Sequence, residues 1–227
     1  MNAGEKQRAP WIVGVSGASG TPYAAAVLRA LIAAGESVDL VVSRAARLTL
    51  LDETGISFRD AHWRDDLGAW LARGADGKPD AFAPGLDDVR YWSPGDLAAG
   101  PSSGSYPVKG MLIVPASTAC VAGVALGLSK DLLQRAASVT LKERRRLVVA
   151  VRETPLNGQT LRHLVALDDA GASVVPASPG FYAGATHIQD LVDFVAGRVL
   201  DAAGVEHGLY RRWKGELGGG AAPAPTR

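Results

Sequence analysis

The chain has 227 residues, 47% of them hydrophobic, with 24 Lys and Arg against 23 Asp and Glu for a formal net charge of +1. That length suffices for one substantial α/β core and forces no second domain, while charges spread along the chain exclude the footprint of a nucleic-acid or acidic-membrane binder, leaving a small molecule as the expected partner. A lone cysteine, Cys120, excludes an internal disulfide, and the opening MNAGEKQRAPW lacks the apolar run of a signal peptide, so the expected compartment is the cytoplasm.

Residues 11–15 form a short β-branched run, followed at once by Ser16, Gly17, Ala18, Ser19 and Gly20, then Thr21, Pro22 and a helical run over 23–34. This reads as strand, small-residue turn and helix, with Thr21 as cap, Pro22 in the first position and Gly35 as left-handed stop. Small residues let a ligand approach the backbone, and free amides with the helix dipole favour an anion such as phosphate. A tight turn closing a βα unit would look the same, and the run is neither a Walker sequence nor GxGxxG. Residues 38–42 give a second strand, Ser43 reads as a cap for a helix over 44–51, and Glu53 follows just past that helix. From 61 to 108 the pattern breaks into Gly, Pro and Asp punctuation, around one helical stretch at 63–72 and one strand at 89–92. A connection of that length is either functional or partly disordered. Its end, Pro101, Ser102, Ser103, Gly104 and Ser105, is small and polar enough to approach a ligand, as a flexible linker also would be.

Residues 111–114 form another buried strand, trailed by Pro115, Ala116, Ser117, Thr118, Ala119 and Cys120. The uncharged stretch 110–129 is nearly long enough to span a bilayer, but its proline, hydroxyl side chains and glycines favour strand, polar loop and helix, so no membrane span is expected. A helix over 132–144 carries Arg135, Lys142 and Glu143, for which a solvated face is an equal reading. Next comes the apolar run 147–151, with Lys142 to Arg146 charged on one side and Arg152 and Glu153 on the other. Such a run belongs inside a parallel sheet covered on both faces. Ligands in open α/β sheets bind beyond the carboxyl ends of the strands, so Arg152 and Glu153 point into a site unless they are a surface ion pair, and Pro155 stops the strand. A helix over 161–169, a strand over 172–175 and a loop carrying Tyr182 follow. The helix 187–203 presents Ile188, Leu191, Val192, Val195, Val199 and Leu200 on its apolar side, with Gly204 as stop. Residues 218–227 read as a disordered low-complexity tail, leaving a single domain over 1–217.

Strand and helix alternate along most of the chain, so the expected fold is an open, mostly parallel, doubly wound sheet of the Rossmann-like or flavodoxin-like kind, with helices on both faces. Three strand ends carry small Ser-rich loops and a fourth carries Arg and Glu. That rim suits a flat phosphorylated cofactor better than a metal, because His62, His163, His187 and His207 are scattered without ligand spacing. No GxSxG nucleophile turn is present at Ser16 or Ser19.

Six stretches carry a specific resemblance: VGVSGASG at 13–20, VVSRAARLTLLDET at 41–54, PSSGS at 101–105, RAASVTLKERR at 135–145, VRETPL at 151–156 and PGFYAGATHIQDLVDFVAGRVLD at 179–201. Together they resemble the UbiX-type flavin prenyltransferases, over most of the chain except about 62–88 and the termini. The resemblance implies transfer of a dimethylallyl group from dimethylallyl phosphate to N5 and C6 of reduced FMN, without metal, giving prenylated FMN for UbiD-type decarboxylases. It implies FMN contacts from Gly17, Ala18, Ser19, Ser43, Ser117, Thr118, Ala119, Cys120 and Arg152, with Ser19 also at the chemistry. Prenyl phosphate would be held by Lys142, Glu153, Tyr182 and Arg198 with Arg135 nearby, Glu53 and Trp213 match further active-site positions, and the assembly would be a homododecamer with sites at subunit interfaces.

The chemistry fits those residue types. Breaking an allylic carbon–oxygen bond leaves a phosphate dianion that Lys142 and Arg198 can stabilise, and an allylic cation that the face of Trp213 can stabilise. Glu53 and Glu153 are the expected proton carriers. This chain departs from the family pattern at Cys120, where threonine is usual, at Arg146 for proline, and at Asn157 and Thr160 for histidines. A rival is an FMN-dependent decarboxylase of cysteinyl substrates, whose PASANT loop the run PASTAC partly matches, but Ala119 replaces the asparagine and no histidine lies in a matching loop. A non-catalytic FMN carrier is the other alternative.

Overall fold

The computed structural model describes residues 8–80, 85–213 and 215. Strands β1 (Trp11–Val15), β2 (Val38–Val42), β3 (Val89–Trp92), β4 (Gly110–Ala116), β5 (Arg146–Val151) and β6 (Ser173–Pro176) form one sheet in the order β3-β2-β1-β4-β5-β6. Every neighbouring pair is parallel. Between them run α1 (Thr21–Ala33), α2 (Arg44–Thr54), α3 (Trp63–Leu71), α4 (Thr118–Ala125), α5 (Leu132–Lys142) and α6 (Gly158–Asp169), and α7 (Ile188–Ala203) follows β6. The chain winds outward from β1 through β3, returns to β4 and winds the other way, so the order reverses between β1 and β4 and a crevice opens there at the carboxyl edge.

Strands this apolar are covered on both faces because alternate residues enter different cores. Val13, Leu40, Leu112 and Val148 pack with α1, α3 and α7, whereas Ile12, Val41, Met111 and Val149 pack with α4, α5 and α6. Truncating Leu112, which is fully buried, would cost about 2–5 kcal/mol on that account. The long connection after α2 is anchored where it is described: Leu67, Trp70 and Leu71 enter the core, and Asp66 accepts from the Arg59 backbone at 2.9 Å and its guanidinium at 2.7 Å. Residues 81–84 of that connection and the tail 218–227 lie outside the described residues.

Several element ends differ from expectation. Thr21 does not cap α1: Gly20, at φ 117°, is the cap residue, and the Thr21 hydroxyl donates instead to Glu53 at 2.6 Å. Helix α2 runs on to Thr54 and stops at left-handed Gly55, so Glu53 lies in its last turn rather than beyond it. Helix α5 ends at Lys142 with Glu143 as cap, and Arg144 turns left-handed at φ 52°, which releases the chain into β5. Asn157 caps α6 three residues earlier than the apolar pattern shows, accepting the Thr160 amide at 2.8 Å. Ile188 is 56% exposed although Val192, Val195 and Val199 are buried, because it occupies the first turn of α7, at the edge of the core. Among the described residues no helix is long and apolar enough to cross a membrane.

Candidate functional site

Four strand ends build the site from small and hydroxyl-bearing residues. Ser16, buried after β1, donates its hydroxyl to the Pro115 carbonyl at 2.8 Å and accepts the Ser117 amide at 2.7 Å, tying β1 to β4 where the strand order reverses. Ser43 donates its amide to the Val15 carbonyl at 3.0 Å and caps α2 by accepting the Ala46 amide at 3.1 Å. Ser117 caps α4 likewise, accepting the Cys120 amide at 3.3 Å, and Thr118 is the first residue of that helix. Both helices therefore start at a cavity of about 400 Å³ lined by Ser16, Gly17, Ser43, Arg44, Ala45, Ser117, Ala119, Cys120, the Pro94 and Gly95 turn and the start of α5. A Cβ on Gly17 would sit 2.4 Å from the Ala45 Cβ, so only glycine lets the β1 turn and α2 form that wall. Two helix N-termini with small walls fit a flat molecule bearing a phosphate, as FMN does.

Beside this cavity, Ala18, Ser19 and Gly20 form the turn that Glu53 and Arg152 hold. Glu53 accepts the Gly20 amide at 2.9 Å and the Thr21 amide at 2.8 Å, which occupies the α1 N-terminus with the protein's own carboxylate. Burial opposes its ionisation, but hydrogen bonds from the Thr21 and Ser19 side chains and from both amides outweigh that and hold the carboxyl below its ordinary range. In this arrangement Glu53 is a fixed anion that orients the turn. Arg152 reaches across β4 to donate to the Ser19 carbonyl at 2.9 Å. Glu153, exposed next to it, accepts the Thr154 amide at 2.9 Å as the chain turns away from β5. Cys120 is 6% exposed, and burial, with Asp131 nearby, pushes its thiol up to about 12 against the opposing hydrogen bond of Ser16. A thiol so protonated is not a nucleophile at working pH.

The residues expected to hold prenyl phosphate fall into two separate patches of one chain. Arg135 and Lys142 are seven residues apart, on one stripe of α5. The Arg135 Nε donates to the Ser102 carbonyl at 3.1 Å, Lys142 pairs with Glu143, and Gly104 lies so close that a Cβ there would meet both side chains. The second patch joins Tyr182, Arg198 and Trp213. Tyr182 meets Phe194 edge-on at 5.4 Å and Trp213 edge-on at 6.0 Å, and Arg198 lies within electrostatic reach of Tyr182. Lys142 precedes β5 and Glu153 follows it, so the strand, at about 3.3 Å per residue, holds them about 20 Å apart. The structure thus brings Lys142 to residues 102–105 and not to Glu153.

Sequence reasoning missed Tyr23, whose ring packs on Gly20 and whose hydroxyl burial pushes up, and the rim cations Arg44 and Lys130. It also missed Asp39, a carboxylate 2% exposed within β2 whose burial raises its pKa. Asp39 borders a larger open cleft of about 820 Å³ with Arg8, Arg90 and Tyr106. That cleft lies at the amino ends of the strands, where no helix of the sheet begins, so the smaller cavity at the carboxyl edge is the cofactor candidate. Among the described residues no cluster of three or more His, Cys, Asp or Glu side chains is arranged to hold a metal ion.

A doubly wound parallel sheet with small-residue loops at its switch point defines a nucleotide-cofactor-binding α/β protein. The family model described as Flavoprotein matches residues 2–200. A flavin prenyltransferase UbiX from Streptomyces coelicolor is 90% identical over 210 residues, covering 92% of this chain and 97% of that relative. The structure of AnUbiX (PadA1) in complex with FMN and dimethylallyl pyrophosphate superposes with a TM-score of 0.77 at 34% identity, covering 92% of this chain and 99% of that one. A dodecameric FMN-dependent UbiX-like decarboxylase from Escherichia coli gives a TM-score of 0.76 at 36% identity, with 91% and 100% covered. The chain belongs to the flavoprotein family and, within it, to the UbiX-type flavin prenyltransferases.

Proposed function

We propose that this enzyme transfers the dimethylallyl group of dimethylallyl phosphate to reduced FMN, making prenylated FMN for a UbiD-type decarboxylase. The observation that carries the reading is the convergence of the small-residue ends of β1, β2 and β4 on one cavity, with Arg152 closing over Ser19 beside it. Similarity at 90% identity to a named flavin prenyltransferase supports it. Gly17, Ala18, Ser19, Ser43, Ser117, Thr118, Ala119, Cys120 and Arg152 hold FMN, which when bound and reduced supplies the electron-rich N5 and C6 that accept the prenyl group.

Arg135, Lys142, Tyr182 and Arg198 take the phosphate, and their charge-assisted hydrogen bonds strengthen as the carbon–oxygen bond breaks and the leaving group gains charge. The rings of Tyr182 and Trp213 face the allylic carbon as its positive charge develops. Glu153, the exposed carboxylate at the end of β5, moves the protons, while Glu53 stays a fixed anion holding Ser19. Because the two phosphate patches lie apart in one chain, a donor site that uses both draws them from different copies, as in a dodecamer like that of the Escherichia coli protein. One buried free thiol and a reduced flavin acceptor suit a reducing compartment such as the cytoplasm.

Neighbours just past the end of β5 separate binding from chemistry. Arg152→Ala is expected to weaken FMN binding by about 1.5–3 kcal/mol, the range for a hydrogen bond to a charged group. Glu153→Gln is expected to keep FMN bound and to slow transfer by about 10²–10⁴-fold, the usual contribution of general acid–base catalysis. Flavin occupancy and single-turnover transfer measured on both variants check this. Transfer at the parent rate by Glu153→Gln would reduce Glu153 to a structural carboxylate.

A further inference from the structure

Beyond α7 the chain folds back over the helix that carries Arg198, and one carboxylate fastens it there. Asp201 Oδ1 accepts from His207 Nε2 at 3.1 Å and Arg212 at 2.7 Å, while Oδ2 accepts from Arg198 at 3.1 Å and from the Tyr210 hydroxyl. The Leu209 amide donates to His207 Nδ1 at 3.2 Å, which leaves Nε2 as the ring nitrogen that faces Asp201. Burial opposes ionisation of Asp201, but the hydrogen bonds from Tyr210, Arg212 and His207 outweigh it and bring the carboxyl down to about 2. One turn back on the same stripe, Gly197 leaves room for the returning segment: a Cβ there would lie 2.5 Å from the Tyr210 ring and 2.7 Å from His207. Tyr210 then packs on Phe194 at 4.9 Å, and Phe194 and Trp213 both meet Tyr182.

We infer that Asp201, seated over Gly197, is a positioning residue for the prenyl donor: it orients Arg198 and pins the segment that brings Trp213 against Tyr182. The inference rests on the reading that Tyr182, Arg198 and Trp213 hold the donor. Asp201 is turned toward the returning segment, while Arg198 keeps half its side chain in solvent, open to a phosphate. Ordering the guanidinium and the ring before the donor arrives removes that cost from the binding step, so loss of Asp201 appears in donor affinity rather than in flavin binding.

The test compares parent, Asp201→Asn, Tyr210→Phe, Arg198→Ala and Asp66→Asn in the full-length oligomer loaded with FMN. Asp66→Asn, on α3, breaks a comparable carboxylate–arginine pair away from the donor patch and controls for lost stability. Asp201→Asn is expected to keep FMN, to raise the KM for dimethylallyl phosphate by about tenfold with kcat within about twofold, and to increase iodide quenching of the Trp213 fluorescence, isolated as the difference from the Trp213→Phe background. Tyr210→Phe, which keeps the ring, is expected to shift both readouts less, in the same direction. Parent-like KM and quenching in Asp201→Asn, or an equal KM rise in Asp66→Asn at matched Tm, overturns the inference. Should Asp201→Asn not fold, parent-like values in Tyr210→Phe overturn it as well. An unchanged KM in Arg198→Ala removes the donor reading itself, whereas a raised KM in Arg198→Ala alone removes only the role of Asp201.

Discussion

Lys142→Ala and Arg198→Ala proteins are each expected to lose prenyl transfer by about 10²–10³-fold, and equal mixing of the two with subunit exchange is expected to restore part of it. Each substitution removes a cation that stabilises the developing phosphate charge. Recovery follows from geometry. Lys142 ends α5 beside residues 102–105, whereas Arg198 sits on α7 with Tyr182 and Trp213, and the length of β5 parts Lys142 from Glu153. A site drawing one patch from each of two copies has both cations intact in roughly a quarter of random pairings. Activity of the mixture no greater than that of either variant would mean that one chain supplies both cations, which α5 and α7, packed on opposite faces of the sheet, do not allow without rearrangement. The outcome therefore tests the assembly and the placement of Lys142 together.

Gly17→Ala is expected to abolish flavin binding under conditions that saturate the parent. The added methyl would lie 2.4 Å from the Ala45 Cβ and 3.0 Å from the Ala45 carbonyl carbon, and neither belongs to a flexible side chain that can swing away. The turn after β1 and the start of α2 must then separate, at a cost of about 1–3 kcal/mol. The movement also spoils the cavity wall and the alignment of the Ser43 cap. Gly158→Ala is the control, because a Cβ there meets only the Arg162 guanidinium at 3.6 Å, and it should bind FMN as the parent does. Flavin titration of both variants, with Tm measured alongside, separates loss of the site from loss of the fold. Parent-like affinity in Gly17→Ala would mean that the flavin does not use this wall.

The sheet was legible because its interior strands bury both faces and so read as unbroken apolar runs, and because glycine or a hydroxyl residue punctuates most of them. Ser43 as a cap, Gly35 and Gly204 as stops, and Arg152 at a strand's carboxyl end follow from local rules, and all are found. The role of Glu53 was not legible, since its carboxylate meets the α1 N-terminus from a helix 33 residues away and nothing local marks the pairing. Thr21 illustrates the same limit: its hydroxyl fits a cap by type, yet a left-handed Gly20 places it inside the helix. Lys142 and Glu153 look adjacent because only 11 positions separate them, but those positions hold a strand that runs the depth of the sheet. Asp201 gave no signal either, because His207, Tyr210 and Arg212 reach it only when the chain folds back over Gly197.

The most direct measurement of the central claim is the mass of the flavin itself. The protein is incubated without oxygen with reduced FMN and dimethylallyl phosphate, the flavin is extracted and weighed, and released phosphate is assayed in parallel. The account predicts a flavin heavier by one five-carbon prenyl unit, with one phosphate released per flavin converted. FMN of unchanged mass with no phosphate released, from protein shown to have bound the flavin, would contradict it.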